Sequence, residues 1–451
     1  MEHLSQLRRF GLFDAKVPRY TSYPPATKFS NDVTADVFRS WVQQIPEGSA
    51  ISVYAHVPFC RRLCWFCACR TQGTRTDAPV IAYVETLRQE VANLKAILPA
   101  GVRIARLHWG GGTPTLLQPG MMRELADTIT DAMPLADGAE FSVEIDPNEI
   151  DEPRMTALAE AGMNRASIGV QDFDDDIQQA IGRIQGYEVT RNTVEALRAH
   201  GIQSLNADIL YGLPHQNQAR IAESVQMLLS LSPDRVALYG YAHVPWMAKR
   251  QAMIPTDALP TPEERLHLYN TARRLFLWDG YDEIGIDHFA RPTDSMAVAA
   301  RTGHLRRNFQ GYTDDTCDVL IGLGASAISK FPQGYAQNAS ATAQYQASVR
   351  DGQMATGRGH AFKGDDKWRG RMIEMLLCTF SIDGAEIRRE FGVDAKTLSQ
   401  LFDAAAEAYP GMTRVTEDGF EILEKGRPLA RMIARIFDGY EMRAEGHSAA
   451  F

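Results

Sequence analysis

Residues 54–70, YAHVPFCRRLCWFCACR, hold four of the chain's six cysteines: Cys60, Cys64, Cys67 and Cys69. Disulfides, a zinc site, an iron–sulfur cluster and core packing can each explain such crowding. The apolar run before Cys60 reads as a strand, so the cysteines sit on the loop that follows it. Zinc is usually closed by two CxxC-like pairs separated by a longer loop. Here Cys60, Cys64 and Cys67 follow C-x3-C-x2-C on one loop. Three thiolates can hold three irons of a [4Fe–4S] cluster and leave the fourth iron open. Softness alone does not decide, because thiolates suit zinc and iron–sulfur clusters alike.

Composition narrows the choice. The chain has 451 residues, 45% hydrophobic and 23% charged, average values for a globular protein of two folding units. Its first residues lack a signal-peptide core, and no apolar run of spanning length follows. A cytoplasmic location is therefore expected, where clustered cysteines bind metal or react rather than pair as disulfides. The formal net charge of −9 speaks against nucleic-acid and anionic-membrane partners, which select basic excess. A local basic pocket for an acidic small molecule stays compatible with it.

From residue 50 onward, β-rich runs alternate with helical patterns. The runs are ISVYAHVPF, RIARLHWGGGT, FSVEIDP, RASIGVQ, SLNADILYGLP and RVALYGYAHVP. Six such units predict a parallel sheet with crossover helices. Polar or glycine groups close nearly every run: Cys60, residues 110–113, Glu144, Gln171, Asp208 and residues 242–243. A full or partial (β/α) barrel and an open doubly wound sheet both fit this pattern, and convergence of strand ends on one site favours an α/β fold built as a partial (β/α)6 barrel of TIM type. Residues 1–49, with VPRYTSYPPATKFS, read as an N-terminal arm, and residues 50–345 as the barrel. Residues 346–451 read as a small, mainly helical domain of winged-helix type.

HWGGGTPT directly follows the second run. Its glycines would let backbone approach a ligand, and no Gly-Lys-Ser/Thr makes it a phosphate loop. Glu144 and Asp208 suit ribose hydroxyls or an ammonium group, or else a helix cap. His56, His108, His243 and His288 read as hydrogen-bonded structural histidines, Cys317 as an ordinary thiol and Cys378 as a core residue.

A C-x3-C-x2-C run with an aromatic, Phe66, before its third cysteine resembles the signature of the radical S-adenosylmethionine (SAM) superfamily. PRYTSYP, YAHVPFCRRLCWFCAC, HWGGGTPT, SVEIDP, IGVQDF, DILYGLP, DHFARP and RRNFQGYT then appear in order. Together they closely resemble the oxygen-independent coproporphyrinogen III oxidase family of porphyrin biosynthesis, over residues 16–340 and more loosely beyond.

That resemblance implies a reaction. The ring A and ring B propionates of coproporphyrinogen III become vinyl groups, giving protoporphyrinogen IX. It implies a [4Fe–4S] cluster on Cys60, Cys64 and Cys67, with two SAM molecules. Tyr54, Gly111, Glu144, Ala242 and Ile328 match contacts to the cluster-bound SAM. Phe66, Gly112, Thr113, Gln171, Arg183 and Asp208 match a second SAM site. Tyr54, Cys69 and Glu144 are the candidate catalytic positions; Cys69 reads either as a hydrogen or proton donor or as a spectator thiol. Arg291, Arg306 and Arg307 are candidates for the substrate propionates. The implied partners are a low-potential electron donor of flavodoxin or ferredoxin type and an electron acceptor the sequence does not name. A monomer is expected. The alternative is a haem-binding chaperone of the same superfamily, which usually lacks both the fourth cysteine and the PRYTSYP arm.

Overall fold

The computed structural model describes residues 2–441. Six parallel strands, β1 (Ala50–Val57), β2 (Arg103–Gly111), β3 (Leu135–Ile145), β4 (Arg165–Gln171), β5 (Ser204–Tyr211) and β6 (Arg235–Gly240), lie side by side in chain order. Each is followed by a helix, from Ala78–Lys95 after β1 to Pro262–Trp278 after β6. β1 is buried on both faces over most of its length, as a parallel strand covered by helices must be. In the first crossover helix Val80, Val84, Leu87, Val91 and Leu94 are buried, one stripe at helical spacing. Glycine ends the helix Tyr187–Ala199 as its sequence indicates: Gly201 follows with φ +85, open only to residues that tolerate the left-handed region.

The sheet extends beyond the six units on both sides. At one edge β7 (Asp282–Ile284) and β8 (His288–Ala290) continue it antiparallel, β8 against β6 and β7 against β8. At the other, β9 (Leu320–Leu323) pairs parallel with β1, and β10 (Ile328–Phe331), β11 (Gly334–Asn338) and β12 (Thr356–Ala361) continue antiparallel. The core is thus an open (β/α)6 partial barrel within a twelve-stranded sheet. The boundary expected at residue 345 falls inside that sheet, because the β11–β12 ladder ties 356–361 to the barrel.

Beyond it, the helix Asp366–Thr379 leads to β13 (Ser381–Asp383), the helices Gly384–Phe391 and Ala395–Ala408, then β14 (Thr413–Val415) and β15 (Gly419–Ile422). These strands form an antiparallel sheet in the order β13–β15–β14, the winged-helix arrangement.

The arm is more structured than its composition indicates. It carries the helices Glu2–Arg9 and Ala35–Gln43. Leu7, Leu12, Phe13, Val17, Tyr20 and Tyr23 belong to the hydrophobic core of the C-terminal domain, beside Trp368 and Phe437. Phe38, Trp41 and Val42 belong to the barrel core. The PRYTSYP stretch itself is irregular, as read, but it is pinned. Tyr20 donates to Asp438 Oδ2 at 2.9 Å, and Gly439 N–H donates to Tyr23 Oη at 2.8 Å. Apolar side chains scattered through a Pro/Ser/Thr-rich segment bury area without regular structure, and that burial holds it.

Candidate active site

The C-terminal ends of β1 to β6 build one site. Tyr54 on β1 is in register with His108 on β2, their rings stacked with centroids 5.7 Å apart. Tyr54 Oη and His56 Nδ1 are 2.9 Å apart. His108 Nδ1 meets Ser142 Oγ at 2.5 Å, and its Nε2 lies 3.5 Å from Glu144 Oε1. Gly111 N–H donates to Glu144 Oε2 at 3.0 Å. Burial pushes the Glu144 carboxyl up, but His108 and the Gly111 N–H outweigh it and hold it below its usual range. Asp208 on β5 has fewer donors. Burial raises its carboxyl to about 6, opposed by Asn206, which donates to Oδ1 at 2.9 Å. His56, His108, His243 and His288 each have a hydrogen-bond partner.

The three glycines are demanded by packing. A Cβ on Gly110 would meet Glu144 Oε1 at 2.6 Å, on Gly111 the His56 ring at 2.6 Å, and on Gly112 the Phe59 carbonyl oxygen at 2.5 Å. Gly111 also has φ +116, which favours glycine. The chain's own atoms fill the space that a side chain would take. The loop holds the cysteines in turn: Gly112 N–H donates to Val57 O and Thr113 N–H to Phe59 O, both at 2.8 Å.

The cysteine loop is tied down from two other elements. Gln251, fully buried, donates to Phe66 O at 2.7 Å and to Ala242 O at 3.1 Å. Arg183 places Nη1 3.6 Å from Cys64 Sγ and 3.4 Å from Asp146 Oδ2. Its Nε is buried without a hydrogen-bond partner. Three soft thiols on one loop, with a cation beside them, fit an anionic thiolate-ligated group. Among the described residues, no three His, Cys, Asp or Glu side chains converge on a single-ion site. Cys69 donates its backbone N–H to Cys67 Sγ at 3.4 Å, and hydrogen bonding from Cys69 holds the Cys67 thiol below its ordinary range.

Gln171 closes β4 with φ +70, and its Nε2 lies 3.0 Å from where a Gly169 Cβ would sit. Ile328 opens β10 against Gly322, the residue in register with Tyr54. Tyr54, Gly111, Glu144, Gln171, Asp208 and Ile328 therefore lie on strands of this sheet, and Phe66, Gly112, Thr113, Arg183 and Ala242 on segments that link its elements.

A cavity of about 1430 Å³ opens from Phe66, Cys67, Cys69 and Ala242 toward the arm and the C-terminal domain. Eight Lys or Arg and only three Asp or Glu side chains line it, on a chain of net charge −9. Arg307 is on its wall. Arg291 instead covers the Tyr281 ring, and Arg306 bonds the Gly303 and Leu305 carbonyls; neither lines the cavity. Sequence reasoning missed Arg19, Arg265, Arg431 and Gln251. A signal for Arg265 was present: it shares a helix face with Tyr269, Ala272 and Phe276, where a cation is out of place unless it serves a site.

The radical SAM superfamily model matches residues 54–228. The oxygen-independent coproporphyrinogen III oxidase of Paracoccus denitrificans is 65% identical over 450 residues, covering 100% of both chains. The chain belongs to the oxygen-independent coproporphyrinogen III oxidases. The Escherichia coli member is 38% identical over 94% of this chain and 93% of its own. The solved coproporphyrinogen III oxidase of Escherichia coli, a radical SAM enzyme, superposes with a TM-score of 0.89 at 36% identity, covering 95% of this chain and 100% of that one. As a radical SAM oxidase, the chain uses a [4Fe–4S] cluster and SAM. Among the described residues of this oxidase, no helix is long and apolar enough to cross a membrane.

Proposed function

We propose that the chain oxidatively decarboxylates the ring A and ring B propionates of coproporphyrinogen III, giving protoporphyrinogen IX. The observation that carries this reading is the basic cavity, open at one end to the cysteine loop. A substrate with four carboxylates needs such a lining, and its reacting carbon must reach that loop. When bound, the cluster and SAM supply an adenosyl radical able to take a hydrogen atom from the propionate β-carbon. The substrate radical then loses CO2 and one electron, and the vinyl double bond forms. A low-potential protein of flavodoxin or ferredoxin type would supply electrons, and a separate acceptor would take the electron released.

Cys60, Cys64 and Cys67 are the proposed cluster ligands. Tyr54, Gly111, Glu144, Ala242 and Ile328 face the first SAM in this reading; Phe66, Gly112, Thr113, Gln171, Arg183 and Asp208 face the second. Glu144, held ionised, can accept from an ammonium or from ribose hydroxyls. The stacked Tyr54 and His108 rings flank it. Arg183, with both Nη atoms engaged, balances thiolate charge and keeps its Nε to donate to a carboxylate.

The test is anaerobic turnover of the cluster-reconstituted protein with coproporphyrinogen III, SAM and a strong reductant. Protoporphyrinogen IX with about two 5′-deoxyadenosines per molecule is expected from two hydrogen abstractions. Deoxyadenosine without decarboxylation would overturn the substrate assignment in favour of another substrate or of haem handling on the same fold.

A further inference from the structure

Between β6 and the helix Pro262–Trp278, one connecting segment carries Trp246 and Met247. Their side chains are 61% and 65% exposed, and both line the cavity that opens from the cysteine loop. Among the described residues, no other large apolar side chain that stands exposed lines it. An adjacent apolar pair left open on a cavity wall forgoes the burial that such side chains otherwise gain, and marks a surface that a ligand can cover.

The segment is fastened in place. Met247 and Ala248 N–H groups both donate to Val244 O at 2.9 Å, and Val244 N–H donates to Gln251 Oε1 at 2.6 Å. The same Gln251 holds the Phe66 carbonyl, and Arg250 donates to Thr71 O at 3.1 Å and to Thr71 Oγ1 at 3.0 Å. Trp246 is thus presented by a segment bolted to the cysteine loop on either side of Cys67 and Cys69. From the arm, Lys16 places its Nζ 5.8 Å from the centroid of the Trp246 ring.

We propose that Trp246 and Met247 form an apolar platform for the macrocycle of coproporphyrinogen III and set how its reacting propionate meets the cysteine loop, an inference that rests on the function proposed above. The substrate is a broad apolar frame with charged arms. Polar walls can hold the arms, but only apolar surface gains by covering the frame. Trp246 offers a large rigid face for it. Met247, unbranched and polarizable, adapts when the first propionate becomes a vinyl group. Because the platform shares its hydrogen bonds with the cysteine loop, the fold itself fixes the frame relative to the cysteines. Abstraction of hydrogen from one chosen carbon needs that register, since a misplacement of about 1 Å can cost a hundredfold in rate.

The test uses the anaerobic holoenzyme with SAM, coproporphyrin III as a fluorescent ligand and coproporphyrinogen III as substrate. Trp246→Ala is expected to weaken coproporphyrin III binding by about tenfold to a hundredfold, the scale of one large apolar side chain left uncovered, and Trp246→Phe by less. The loss should be equal at low and high salt, because an apolar contact is not screened. With substrate, Trp246→Ala should release more deoxyadenosine per protoporphyrinogen IX than the wild type, since a misplaced propionate is missed in some SAM cleavages. Trp278→Ala, at a side chain 93% exposed and outside the cavity, should change neither readout. Unchanged affinity or an unchanged product ratio in Trp246→Ala would overturn the proposal. So would a loss that Lys16→Gln reproduces in full, because the ring would then only seat that cation. Wild-type protein that binds coproporphyrin III but makes no protoporphyrinogen IX would sink the proposed reaction, while the affinity series would still decide the platform.

Discussion

Arg183 Nη1 sits 3.6 Å from Cys64 Sγ, while its Nη2 donates to Gly169 O and Gln185 Oε1, each at 2.9 Å. One side chain thus joins the cysteine loop to the end of β4 and sets a positive charge against a thiol. Arg183→Gln should retain the fold but lower kcat/KM by about tenfold to a hundredfold, the scale of a lost charged hydrogen bond. Steady-state deoxyadenosine release checks this. A variant as active as the wild type would remove Arg183 from the site.

Cys60, Cys64 and Cys67 should behave differently from Cys69. Alanine at any of the first three is expected to abolish the [4Fe–4S] signal after anaerobic reconstitution. Cys69→Ala should keep full iron and sulfide content, because it stands outside the three-thiolate spacing. Iron analysis and electron paramagnetic resonance read the difference. Iron loss in Cys69→Ala equal to that in Cys64→Ala would make it a ligand.

Gly112 tolerates no side chain. Its Cβ would lie 2.5 Å from a backbone carbonyl oxygen, which cannot rotate away. Gly112→Ala should therefore cost about 2 kcal/mol or more. Gly120, with open space around its Cβ position, should accept alanine without loss. Chemical denaturation of the two variants provides the comparison, and equal stabilities would refute the packing role of the glycine loop.

Glu90 makes folding stability depend on pH. It is fully surrounded, accepting from Gly324 N–H and Asn338 Nδ2 at 2.7 Å and from Tyr345 Oη at 2.8 Å. Burial outweighs those bonds and raises its carboxyl to about 7 from an ordinary 4.5. Between those values the folded state keeps a proton that the unfolded chain has lost. Stability therefore falls as pH rises from about 4.5 to 7, by roughly 2–4 kcal/mol from this group. Glu90→Gln should flatten that slope. Urea unfolding of both proteins at pH 5, 6 and 7 tests it, and parallel slopes would count against the assignment.

Much of this protein was readable from local chemistry. The six strands showed as apolar runs, and the cysteine spacing exposed the metal chemistry, because period and spacing are properties of neighbouring residues. Cys60, Glu144, Gln171 and Ala242 could be assigned to strand ends for the same reason. The glycine triplet was located correctly, but its packing against Glu144, His56 and Phe59, which come from other parts of the chain, was not legible. The arm was legible as irregular, not as part of two cores, since burial depends on partners more than 300 residues away. Likewise, Arg19, Arg265 and Arg431 carry no shared local pattern. Only tertiary folding gathers them onto one cavity wall, because they come from the arm, the barrel and the C-terminal domain.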